Sequence, residues 1–111
     1  MEEFLTVALV GVFGGIGSLI RYFIGSWNGL IPWGILVTNC LGAGVAALAV
    51  SAGEIQIALA VGLAGGLSTF STFSGQTYDL LHSGKKFSAF LNAGFNLLLP
   101  AVVFLTVSLI F

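Results

Sequence analysis

Four apolar stretches, each about long enough to cross a bilayer, follow one another in this chain with almost nothing between them. A spanning helix takes roughly 20 apolar residues, so four of them use nearly all of the 111 residues and leave almost no length for a soluble domain. Composition agrees. With 58% hydrophobic and 6% charged residues and a mean hydropathy of +1.12, there is too little polar surface for a water-soluble globule. The expectation is an all-α integral membrane protein, residues 1–111 forming one four-helix domain. The formal charge of −1 offers nothing to nucleic acid. Met1-Glu2-Glu3 has no basic n-region and no small-residue cleavage site follows, so the first span is expected to be retained. Cys40 stands alone, which excludes a disulfide within the chain and reads as a small buried apolar residue.

The spans are expected at about 4–25, 32–52, 54–82 and 87–111. The first is glycine-rich, and Gly11/Gly15 and Gly14/Ser18 form small-xxx-small pairs that let helices approach closely. Residues 26–29 make a turn, with Trp27 and Trp33 placed as interfacial anchors. The second span starts at Pro32, where a missing N–H does no harm, and carries the pairs Gly42/Ala46 and Ala43/Ala47. Only Ser51-Ala52-Gly53 separates it from the third. Lys85, Lys86 and the nearby Arg21 fall toward one side of the membrane, and the other side has no Lys or Arg. By the positive-inside rule this bias of a few residues favours both termini outside.

The third span is too long. As one straight helix of 29 residues it would measure about 43 Å, against a hydrocarbon core of about 30 Å. Gly65-Gly66 at its centre, followed by Ser68-Thr69-Phe70-Ser71-Thr72-Phe73-Ser74, predicts a break near 65–69, because glycine weakens the helix and hydroxyls compete for its backbone. Broken backbone at membrane depth is tolerated only where it is buried in protein or faces water or an ion.

Catalysis finds no support. His82 is the sole histidine, in a loop with no carboxylate or cysteine at ligand spacing, and reads as a surface residue. Glu2, Glu3, Glu54 and Asp79 sit near span ends, so no carboxylate pair lies within the membrane for proton work. The serines lack a neighbouring base and a nucleophile elbow. What remains is a set of neutral donors at membrane depth: Asn39, the hydroxyls of residues 68–74, Asn92 and Asn96. Asn92 and Asn96 share a helical face, with Pro100 on the same face. Such residues can glue helices together. Taken together, donors without negative side chains suit an anion whose hydration shell they replace. Phe70 and Phe73, three apart, share a face after the break and present positive ring edges, or simply pack.

The stretches Gly14-Gly15-Ile16-Gly17-Ser18-Leu19-Ile20-Arg21-Tyr22, Gly34-Ile35-Leu36-Val37-Thr38-Asn39 and Gly65-Gly66-Leu67-Ser68-Thr69-Phe70-Ser71-Thr72-Phe73, in this order, resemble the Fluc (CrcB) fluoride channels over essentially the whole chain. The resemblance implies an antiparallel, dual-topology-like dimer with two narrow fluoride pores along the subunit interface. It implies that Phe70 and Phe73 face the pore, that Asn39 points into it with Ser71 and Thr72 nearby, and that Arg21 lies near the vestibule. It also implies a structural Na⁺ at the dimer centre, held by the backbone carbonyls of Gly65 and Ser68. The fourth span departs from the family, which usually carries a line of hydroxyls there; this chain offers Asn92, Asn96 and Pro100 instead. The expected function is fluoride-selective, passive export across a bacterial cytoplasmic membrane, through a homodimer or a pair of homologous subunits. A small four-span multidrug exporter would need a membrane-embedded carboxylate in the first span, and none follows Glu3. A non-transporting assembly subunit would use the same polar residues as glue alone.

Overall fold

The computed structural model describes residues 2–49 and 54–111, which form five helices: α1 (Glu2–Ile24), α2 (Trp33–Ala49), α3 (Glu54–Leu67), α4 (Phe70–His82) and α5 (Lys86–Ile110). No strand forms among the described residues. The end of the second predicted span and the connection at 51–53 lie outside them. Three helical stretches are long and apolar enough to cross a membrane: Glu3–Ile24, Ile57–His82 (α3 and α4 together) and Lys86–Ile110. The apolar α2 is shorter; its 17 residues rise about 25 Å.

Small residues decide how the helices meet. α1 lies along α3, α2 lies between α3 and α5, and α4 packs on α5. At the α1–α3 seam a methyl on Gly62 would sit 2.6 Å from the Val10 carbonyl oxygen, and one on Gly66 would collide with the Gly14 carbonyl. Gly17 is equally tight against the Leu63 carbonyl. Of the two small-residue pairs predicted on α1, only Gly14/Ser18 faces this seam. Gly11 and Gly15 have nothing within 4 Å and point away from it. On α2, Gly42 abuts Ser68 Cβ and the Ala64 carbonyl, as its predicted role in close packing requires.

Uncharged polar side chains gather inside the bundle, while many large apolar ones face outward. Thr38, Asn39, Ser88, Asn92 and Asn96 are buried, whereas Phe4, Tyr22, Phe90, Leu105 and Leu109 are exposed. This inversion fits a chain whose solvent is hydrocarbon: apolar side chains gain nothing by hiding, and polar groups must find partners inside. The backbone envelope measures 53 × 28 × 17 Å, so the subunit is a slab about two packed helices thick. The loops after α1 and α4 meet at one end, where Asn28 to Pro32 face Asp79, Ser83 and Lys85 across a shared cleft. The connections after the first and third spans therefore share a side, as an alternating path requires.

The predicted break is present between α3 and α4, but the glycines do not form it. Gly65 and Gly66 stay helical, and Ser68 N still donates to Ala64 O at 3.0 Å. The chain leaves the helix at Thr69, with φ −153° and ψ 115°. Gly66 is needed instead where α3 touches α1.

Candidate functional site

Asn39 on α2 breaks the helix by capturing its backbone. Its Oδ1 accepts from Thr69 N at 2.6 Å, the amide that would otherwise bond Gly65 O, and its Nδ2 donates to Thr69 O at 3.3 Å. The side-chain amide thus stands in for a neighbouring strand on an extended residue. Thr69 then caps α4: its Oγ1 accepts from Thr72 N at 3.2 Å and donates to Thr72 Oγ1 at 3.0 Å.

Backbone groups are left over at both faces of the break. The Gly66 carbonyl accepts from Arg21 Nε at 3.0 Å. The carbonyls of Gly65, Leu67 and Ser68 accept no hydrogen bond from the described residues, and Gly65 and Ser68 lie at the surface. The carbonyl end of α3 thus abuts the amide end of α4, placing a partial negative charge beside a partial positive one. The first attracts cations; the second attracts anions.

A groove of about 450 Å³ runs over this junction. Asn39 and Gly42 line it from α2, Gly65 and Ser68 from the break, Phe70 and Phe73 from α4, and Asn96 and Pro100 from α5. The two rings meet edge to face, with centroids 4.9 Å apart and planes at 86°. Phe73 is 7% exposed and Phe70 is 71% exposed, so one ring is seated in the subunit and the other stands off it.

Not every predicted residue joins this groove. Thr72 lines a second cavity of about 640 Å³ with Arg21, Ser18, Ser26 and Gln76, near the connection after α1. Ser71 lies on the outer surface of α4. Asn92 has no exposed surface and sits behind Asn96. His82 is exposed, stacked on Tyr78. Cys40, read from the sequence as a small buried apolar residue, lies among apolar side chains of α2 and α5 but is only half-buried.

The asparagines do not present free donors inside the subunit. Asn39 Nδ2 also donates to Asn96 Oδ1 at 2.8 Å; Asn96 Nδ2 donates to Asn92 O at 2.8 Å and to Asn92 Oδ1 at 3.0 Å. Asn92 Nδ2 donates to Thr77 Oγ1 at 2.9 Å and to Phe73 O at 3.4 Å, and Thr77 Oγ1 donates to Phe73 O at 2.8 Å. All the amide hydrogens of the three side chains are engaged. Two residues of this region escaped sequence reasoning. Thr77 is four positions after Phe73, and Gln76, whose buried Oε1 accepts nothing among the described residues, is four after Thr72. That spacing puts each on the face of its predecessor and was the available signal.

Among the described residues no three His, Cys, Asp or Glu side chains gather as a metal site. A cation at the break would therefore rest on backbone oxygen.

Residues 8–108 match the family model described as CrcB-like protein, Camphor Resistance (CrcB). Curated relatives named fluoride-specific ion channel FluC align over most of the chain. The one from Clostridium novyi is 35% identical over 92% of this chain and 90% of its own length. That from Geobacter sulfurreducens is 36% identical (78% and 81%), and that from Thermus thermophilus 37% identical (84% and 80%).

Proposed function

The chain belongs to the CrcB-like family, and from that membership we infer that it is a fluoride-specific ion channel, giving fluoride a passive way out across a bacterial cytoplasmic membrane. The observation that carries this reading is the alignment of most of the chain with relatives bearing that name. Fluoride enters cells as its weak acid and dissociates, and the inside-negative potential then drives the anion outward. No bond is made or broken, so the protein is not an enzyme.

A small, strongly hydrated anion crosses only where its water is replaced. Phe70 and Phe73 supply positive ring edges over the amide end of α4, and Asn39 and Asn96 line the same groove. Ser71 extends the path along the outer face of α4. Arg21 and Thr72 share the second cavity, where a guanidinium beside hydroxyls suits a vestibule that concentrates anions. Asn92 stands behind this lining.

The functional unit we propose is an antiparallel dimer of four-span subunits, with its two pores along the interface. A slab 17 Å thick, with Phe70, Gly65 and Ser68 all exposed, supports a second copy on that face. The carbonyls of Gly65 and Ser68 fit a Na⁺ site there: they are oxygen donors with no competing hydrogen bond among the described residues. A bound cation would supply a fixed positive charge between the two anion paths.

The protein alone, reconstituted in liposomes, should release fluoride rapidly once a potassium ionophore removes the charge block, with chloride nearly impermeant. Equal fluxes of the two anions would overturn the reading, and no flux at all would favour an assembly subunit. Phe70→Ile and Phe73→Ile should each lower the fluoride flux about tenfold, the scale of an aromatic contact worth ~0.5–1.5 kcal/mol, with the fold retained. Unchanged flux in both would remove the rings from the path.

A further inference from the structure

We propose that Asn92, Asn96 and Thr77 are positioning residues, a side-chain relay by which α5 holds Asn39 on the Thr69 peptide and so keeps the helix broken at Ser68-Thr69. The assignment rests on the fluoride-channel reading for its relevance to transport and on geometry for everything else.

The relay is directional. Thr69 N–H donates to Asn39 Oδ1, Asn39 Nδ2 to Asn96 Oδ1, Asn96 Nδ2 to Asn92 Oδ1, Asn92 Nδ2 to Thr77 Oγ1, and Thr77 Oγ1 to Phe73 O. Its two ends are backbone groups whose roles cannot be exchanged, an N–H at Thr69 and a C=O at Phe73. Each amide orientation in between is therefore fixed by the one before it. Rotating Asn39 or Asn96 by half a turn sets donor against donor on one side and acceptor against acceptor on the other, and rotating Asn92 sets its Nδ2 against that of Asn96. Asn39, Asn92 and Asn96 are all buried, so a mismatch is not relieved by water.

Both ends lie on the first turn of α4. Asn39 holds the peptide groups of Thr69 from both sides, accepting from its N–H and donating to its C=O. The side chains thus tie the first turn of α4 to α2 and α5 by hydrogen bonds. While Asn39 holds Thr69 N–H, Gly65 O stays unclaimed. The relay therefore governs the backbone oxygen of the break, while its own amide hydrogens stay occupied.

Thr77 gives the cleanest test, because it lies outside the groove and has two conservative replacements. Thr77→Val keeps the shape and removes the hydroxyl; Thr77→Ser keeps the hydroxyl and removes a methyl. Hydrogen–deuterium exchange of the full-length protein in lipid nanodiscs would follow peptides covering residues 66–72, with α1 peptides as the control. Thr77→Val and Asn92→Ala should speed exchange at the break about tenfold, a factor that equals ~1.4 kcal/mol, while Thr77→Ser stays near wild type and α1 is unchanged. Packing alone predicts the reverse ranking, with Val near wild type and Ser faster. That ranking, or no change at the break in Thr77→Val and Asn92→Ala, would overturn the relay. The exchange readout does not depend on conduction, so a protein that passes no fluoride would defeat the functional reading and leave this one standing or falling by itself.

Discussion

A single methyl separates the glycines that hold the subunit together from those that do not. Gly66 lies against the Gly14 carbonyl, and a Cβ there has nowhere to go because its neighbour is backbone. Gly66→Ala should destabilise the protein by about 3 kcal/mol, the upper end of ordinary overpacking, read as a lower melting temperature in detergent. Gly11→Ala, with nothing within 4 Å, should be neutral or up to ~1 kcal/mol stabilising through helix propensity. Equal effects would mean that the seam lies elsewhere. The residue pattern exposed the presence of close packing on α1 but not its direction. Gly11/Gly15 and Gly14/Ser18 have the same spacing, and only the position of α3 distinguishes them. The asparagines were legible in the same partial way. Their spacing put Asn92 and Asn96 on one face, but the residue that donates to Asn96 Oδ1, Asn39, is 57 residues away in sequence.

The broken third span behaves as two elements with separate supports. On its α4 side, Thr69→Val removes the cap bond to Thr72 N and should lower stability by about 1 kcal/mol. Asn39→Leu strips both contacts from the Thr69 peptide and leaves the buried Asn96 Oδ1 without its donor, so it should cost more, about 2–4 kcal/mol. Chemical unfolding of the two variants side by side would check the order; a larger loss in Thr69→Val would show that the cap, not Asn39, holds the break. Excess length and a run of hydroxyls made the break foreseeable. It falls at the far end of the expected 65–69, at the hydroxyls and not at the glycines, because the agent is a side chain on another helix. Glycine at 65 and 66 weakens a helix only in isolation; packed on α1, residue 66 is held helical by its neighbours.

At the scale of the molecule, three helical stretches are long and apolar enough to cross a membrane, and the 17 residues of α2 form a shorter apolar helix. What the sequence alone could not display is the flatness of the result. A 17 Å slab exposes its groove, and Phe70 stands 71% exposed at the edge of it. A second copy over that face accounts for the exposure, and a stable pairing would bury about 1,200–2,000 Å² in total. Light scattering in mild detergent should accordingly give a protein mass of about 23 kDa, twice the 11.5 kDa chain; a monomer that still conducts fluoride would contradict the proposed dimer. The relay also has a consequence in time. Asn39 leaves the ribosome well before Asn96, so the second helix reaches the membrane with an amide that has no partner there. The break then acquires its final shape only when the last helix arrives, and the order of synthesis becomes the order in which the groove is completed.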